Sequence, residues 1–156
     1  MGNAPKAAYW LIALNLQREE GLQPLADEVD EVVLSWKQKN PGQNIEDHLH
    51  EFVSTANFPL LTSVIHETLR YTTSIMPMRR VTEPTELGGY HFDTNDEVVC
   101  VTRSVHFDQE IHENPWAYNP RRYMAEKQYT KNGKVVANHS MVWGGGVSMC
   151  EGRCVD

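Results

Sequence analysis

Late in the chain, residues 143–153 read WGGGVSMCEGR, three consecutive glycines followed by one cysteine, Cys150. The thiolate, not the thiol, is the form of cysteine that binds metal, so a working cysteine needs its pKa lowered. A helix N-terminus does this, because unpaired backbone N–H groups and the positive end of the helix dipole favour an anion. Glycines just ahead allow unusual φ values and a close approach of backbone to a flat ligand. The stretch has that layout, with a helix expected to start at Cys150. Zinc is a poor match, since Cys150 and Cys154 lack a second Cys/His pair at finger-like spacing. A haem iron held by one axial cysteine would ask for nothing more from this segment. The other reading is a glycine-rich turn ahead of a buried cysteine, and on this stretch alone the two weigh evenly.

Two further clusters carry charge in suggestive places. HETLR, residues 66–70, sets Glu67 and Arg70 three apart, on one face of a helix. Such a pair is by default a surface salt bridge worth about 0–1 kcal/mol. YNPRRY, residues 118–123, adds Arg122 beside a proline-set turn. Between residues 121 and 134 stand Arg121, Arg122, Lys127, Lys131 and Lys134 against one local acid, Glu126, in a chain whose formal net charge is -7.

The elements that must position these groups follow from periodicity and punctuation. AAYWLIALNL, residues 7–16, reads as a helix that is apolar nearly all round, the pattern of a helix enclosed by a larger protein. It is too short to span a bilayer, which takes roughly 20 residues. Residues 25–38 have helical apolar spacing with acids at the start, and Asn40, Pro41 and Gly42 end the helix. A polar helical piece follows from Asn44. Residues 58–72 make the strongest helix, with Asn57 as the expected cap, Pro59 in its first turn and Phe58, Leu61, Ile65 and Leu69 as the expected buried face. From Arg79 to Thr102 short strands and turns are expected, with LGGY and TND as turn signals. Residues 107–142 are loop-rich, and a long irregular segment in a compact domain usually has a function or wraps something. A 40% apolar composition supports a real core. The acidic balance argues against nucleic acid. Three cysteines without framework spacing suggest free thiols in a reducing compartment.

ETLR, then YNPRRY, then WGGGVSMCEGR, in that order and spacing, resemble the three signatures of the cytochrome P-450 family, and the match spans essentially the whole chain. The resemblance implies a mainly α fold with a small β-sheet, here an incomplete cytochrome P-450 fold. Residues 1–156 would be a partial haem-thiolate domain truncated at both ends, one that alone holds haem weakly or not at all. It implies haem b as cofactor and Cys150 as axial ligand of the iron, with Gly146 as the family's glycine before the ligand. Trp143 would replace the usual phenylalanine against the haem face. Glu67, Arg70 and Arg122 would form a buried structural cluster locking the helix to the cysteine loop. Arg80, preferred over Arg79, would meet a haem propionate.

Some positions depart from the family pattern. Ser148 stands where an arginine or histidine is usual, and Gly2 and Asn3 stand where an acid and a threonine usually serve proton delivery. Together with AAYW after Asn3, these departures resemble one branch, that of prostacyclin synthase and the sterol 7α- and 12α-hydroxylases. Asn3 would then be the catalytic hydrogen-bonding residue over the distal haem face. The implied activity is monooxygenation of a small apolar, lipid or sterol-like substrate; the alternatives are isomerisation of a lipid peroxide, or a fragment without autonomous activity. A full-length eukaryotic relative would sit in the endoplasmic reticulum membrane and take electrons from an NADPH-dependent flavoprotein reductase. Lys127, Lys131 and Lys134 are the expected docking charges, with an ordinary solvated loop as the alternative.

Overall fold

A computed structural model describes residues 3–145 and 149–150. Helix α1 (Ala4–Leu16) is followed by α2 (Gln23–Lys39), a short 3-10 turn at Ile45–His48, α3 (Leu49–Thr55) and α4 (Pro59–Thr72). Two small antiparallel pairs come next, β1 (Met78–Arg80) with β4 (Glu97–Val99), and β2 (Thr85–Leu87) with β3 (Tyr90–Phe92). Helix α5 (Thr102–His106) and the hairpin β5 (Thr130–Lys131)–β6 (Lys134–Val135) complete the described elements. The mainly helical class with a little sheet is as the sequence implied, although the sheet is three separate two-stranded pairs.

Turn chemistry explains the strand pairs. The β2–β3 connection needs two left-handed residues, and Gly88 (φ 61°) and Gly89 (φ 83°) adopt them without a Cβ penalty. Asn132 (φ 50°) and Gly133 (φ 72°) do the same for β5–β6. Asn95, in the TND turn, is also left-handed, which asparagine tolerates better than most residues.

Helix α4 packs against α1 and α2 and is the centre of the molecule. Its buried residues are Leu60, Ser63, Val64, Glu67, Thr68 and Arg70. This corrects the expected face: Ile65 is exposed and Leu61 and Leu69 are only partly covered. The reason is that four of these six buried residues, Ser63, Glu67, Thr68 and Arg70, are polar and find partners in loops. Ser63 donates to the Pro120 carbonyl (2.7 Å) and accepts from the Tyr123 N–H (3.0 Å), and Thr68 shares a hydrogen bond with the Tyr118 hydroxyl (3.1 Å). A search for apolar periodicity follows the greasy residues and misses a polar face that the fold satisfies.

The start of α4 is a second correction. Asn57 does not cap it; Phe58 occupies the N-cap position without a side-chain bond. The free N–H groups of Leu60 and Leu61 instead donate to the two carboxylate oxygens of Glu28 on α2, at 2.6 and 2.8 Å. The sequence pattern places Glu28 among the acids at the start of its own helix, but α2 begins at Gln23 and carries no acid in its first turn. The carboxylate therefore serves the dipole of its neighbour. Replacing Glu28 with Ala should destabilise the fold by about 0.5–2 kcal/mol, the usual range for a lost cap, while Asn57→Ala changes little. Urea unfolding of both variants against the parent chain checks this, and equal losses would count against the inter-helix cap.

Candidate functional site

Glu67, Arg70 and Arg122 come together in the interior, with Glu67 and Arg70 fully buried and the Arg122 side chain 8% exposed. Arg70 lies one helical turn after Glu67 and grips it twice, from Nε to Oε2 (2.7 Å) and from Nη2 to Oε1 (2.9 Å). Arg122 donates from Nε to Oε2 (2.9 Å), and the Asn119 N–H donates to Oε1 (2.9 Å). Each carboxylate oxygen thus accepts two hydrogen bonds. Five further guanidinium contacts go to backbone carbonyls. Arg70 Nη1 donates to the carbonyls of His106 (2.7 Å) and Pro115 (2.9 Å). Arg122 donates to those of Glu113 (2.6 Å), Asn114 (3.2 Å) and Ala117 (2.9 Å).

Cys150 closes the described part of the glycine-rich segment. It is exposed and free of any disulfide, and its N–H donates to the Trp143 carbonyl at 2.9 Å. Trp143 is half-buried, and Gly144 takes φ 83°, its N–H donating to the Met141 carbonyl (3.0 Å). Gly145 has a tight flank, since a Cβ there would stand 3.3 Å from the Met141 methyl. Gly146, Ser148 and the helix expected after Cys150 lie outside the described residues, as does Gly2.

The remaining expected site residues stand apart from these contacts. Asn3 is an exposed N-cap of α1 whose side chain makes no capping bond. Arg80 is exposed on β1 and pairs with Glu97 across the β1–β4 register (3.1 Å). Arg79, on the opposite strand face, turns its guanidinium back to the Met78 carbonyl (2.9 Å). The basic run is also less free than its local sequence suggested. Lys131 pairs with Asp108, and Lys127 lies 3.8 Å from Glu113, so two acids distant in sequence offset two of the three docking lysines. Lys127 and Lys131 nonetheless remain about half exposed.

Sequence reasoning missed two fully buried histidines, His106 and His112. His106 Nε2 accepts the Met141 N–H at 3.1 Å, which requires a neutral ring. Burial outweighs the nearby Thr73 carbonyl and lowers its pKa, and the positive charges of Arg70 and Arg103 push the same way. His112 pairs through Nε2 with the His139 carbonyl (3.0 Å), so Nε2 carries its proton. Burial lowers the His112 pKa to about 4, with Arg70 and Arg122 adding to the shift. The His139 ring stacks on Tyr129 at 3.7 Å and 9°. The sequence signal was the HFDQEIH spacing, which places both imidazoles ahead of the region that Arg122 ties down.

Comparison with known proteins supplies the family. The cytochrome P450 family model matches residues 8–155. The chain is 25% identical to cholesterol 7-alpha-monooxygenase of Cricetulus griseus and covers 32% of that protein with 97% of its own length. It is 26% identical to prostacyclin synthase of Homo sapiens over the same shares. The chain thus spans about a third of the length of the curated relatives it matches. Among solved structures, a zebra fish cytochrome P450 with abiraterone aligns at a TM-score of 0.63 and 20% identity, over 92% of this chain and 30% of that one.

The geometry sets two expectations. Replacing Arg70 with Leu should cost about 3–5 kcal/mol, because the Glu67 charge is then left buried with half its partners gone. Chemical denaturation measures the loss; a change below 1 kcal/mol would mean that the cluster is not a buried charged unit. The histidines set the pH response. Their folded pKa values lie below the ordinary value near 6.5, so unfolding takes up protons as pH falls. Their contribution is present above pH 6.5 and is lost as pH falls toward the folded values, about 4 for His112. The melting temperature should therefore drop between pH 7 and pH 5, and drop less steeply in His112→Asn.

Proposed function

The chain belongs to the cytochrome P450 family, and on that premise we propose that it holds haem b through the Cys150 thiolate and serves monooxygenation of an apolar, sterol-like substrate. Members of the family bind haem b. The described residues suit that group. Cys150 offers one exposed, unpaired sulfur, which is what an axial haem ligand requires. It follows a run of three glycines, which carry no side chains of their own to hold a flat ligand away from the backbone. When bound, haem supplies the oxygen-activating chemistry, and electron donation from a thiolate favours O–O cleavage.

The chain's own residues would do the following. Trp143, half-buried, would pack its ring against the haem face, and Gly146 would be the family's glycine before the ligand. Arg80 would hold a propionate, exchanging or sharing its contact with Glu97; a guanidinium matches a carboxylate bidentately. Asn3 would hold water or a substrate hydroxyl by hydrogen bonds, since its amide both donates and accepts. Glu67, Arg70 and Arg122 touch no substrate in this reading. They hold the residue 106–122 loop so that the segment running to Cys150 starts from a fixed base.

The single observation that carries the proposal is the free, exposed Cys150 at the end of the glycine segment, in a chain matched along residues 8–155 by the family model. The sterol-like substrate class rests on similarity to a cholesterol 7-alpha-monooxygenase. Electrons from an NADPH-dependent flavoprotein reductase, and a place at the endoplasmic reticulum, belong to the same proposal. No described helix is long and apolar enough to cross a membrane. Docking through Lys127, Lys131 and Lys134 would have to compete with Asp108 and Glu113, which makes it the weakest component.

The test is the reduced, carbon-monoxide-bound spectrum of the chain equilibrated with excess haem. A red-shifted Soret band of thiolate ligation is expected, small if binding is weak, and absent in Cys150→Ala. The same band in both proteins, or a band without thiolate character in the parent, would remove Cys150 from the role.

A further inference from the structure

We infer that His106 is a positioning residue, the joint through which the buried charge cluster is tied to the segment that carries Cys150. The residue is used from both ends. Its carbonyl accepts from Arg70 Nη1 at 2.7 Å, and its ring Nε2 accepts the Met141 N–H at 3.1 Å. The ring is fully buried, so this acceptor has no competition from bulk water. From Met141 the tie continues locally: the Met141 carbonyl accepts the Gly144 N–H, and the Trp143 carbonyl accepts the Cys150 N–H.

Helix α5, which ends at His106, is itself fixed. Thr102 donates from both its N–H (3.2 Å) and its hydroxyl (2.8 Å) to the Ile75 carbonyl, just beyond α4. The ring is therefore presented from a short helix anchored at both ends, at Ile75 and at Arg70. His112 makes a parallel attachment at the His139 carbonyl, and Val142 is buried. The backbone of residues 139–142 is consequently moored at His139 and at Met141, and Met141, held by His106, is the nearer of the two to Trp143.

Histidine suits this place for a chemical reason. A buried backbone N–H left without an acceptor loses its hydration with nothing in exchange. A carboxylate acceptor would bring another charge beside Arg70, whereas a neutral imidazole accepts without one. The geometry also predicts which replacements work. Glutamine can place its Oε1 near the position of Nε2, and asparagine is too short to reach the Met141 N–H.

The experiment compares His106→Gln with His106→Asn in the 156-residue chain by amide hydrogen exchange. In His106→Asn, exchange at Met141, Gly144 and Cys150 should quicken at least tenfold while the amides of α4 keep their protection, and His106→Gln should restore it. Equal behaviour of the two variants, or equal loss in α4, overturns the inference, since His106 would then act through general stability. The haem-loaded chain gives a second readout that rests on the reading of Cys150 as ligand. There His106→Asn should raise the carbon-monoxide-bound fraction without thiolate ligation, and His106→Gln should not. Faster exchange with an unchanged ligation spectrum overturns the positioning of the ligand. A parent chain without any thiolate band refutes the ligand reading itself and leaves the exchange result to decide the tie.

Discussion

One carboxylate organises this molecule. Glu67 is fully buried, and its two oxygens accept four hydrogen bonds, three from arginine and one from the backbone of Asn119. With Arg70 and Arg122 the cluster has one negative and two positive groups, and burying the excess cation in isolation would be very costly. Five backbone carbonyls, those of His106, Glu113, Asn114, Pro115 and Ala117, accept five more guanidinium hydrogen bonds. The exchange works in both directions. The stretch from Phe107 to Tyr129 contains no regular element, so its carbonyls have no ladder to pair with, and the arginines supply the donors that a sheet or helix would have provided. A buried ionic network is a poor source of net stability, yet removing one member is severe. Here it fixes the path of a loop that apolar packing alone would leave undetermined.

This also explains which features were legible in the sequence. Glu67, Arg70 and Arg122 were recognisable as a set through family resemblance, while their spacing alone suggested an ordinary surface pair. The glycine turns were legible because they are local: Gly88, Gly89, Asn132 and Gly133 need no partner elsewhere to require positive φ. Features that rest on distant partners were not. The acceptor for the start of α4 is Glu28, more than thirty residues upstream, and no local rule prefers it to Asn57. The basic stretch after Arg121 looked uncompensated because its acids, Asp108 and Glu113, lie outside any short window.

The face of α4 is the most instructive case. Apolar periodicity selects Phe58, Leu61, Ile65 and Leu69, and the fold buries Leu60, Ser63, Val64, Glu67, Thr68 and Arg70. The two faces differ by part of a turn because polar side chains can occupy the interior when the fold satisfies their hydrogen bonds, as it does here. Ser63 alone links the backbone at Pro120 and at Tyr123. A helix whose task is to hold loops spends its buried face on donors and acceptors, and its leucines are displaced toward the margins.

The cluster and the histidines depend on each other electrically. His106 can accept the Met141 N–H, and His112 can keep an unprotonated Nδ1 in the interior, only while both rings are neutral. Burial is the main reason they stay so, and the charges of Arg70 and, at His112, Arg122 reinforce it. The same guanidinium that holds the His106 carbonyl therefore disfavours a proton on the His106 ring. Removing Arg70 would strip a backbone anchor from the loop and weaken the electrostatic guard on its imidazole together. The arginines thus act twice, once as donors to the loop backbone and once as fixed positive charges that keep the imidazole contacts to residues 139–141 in their neutral form.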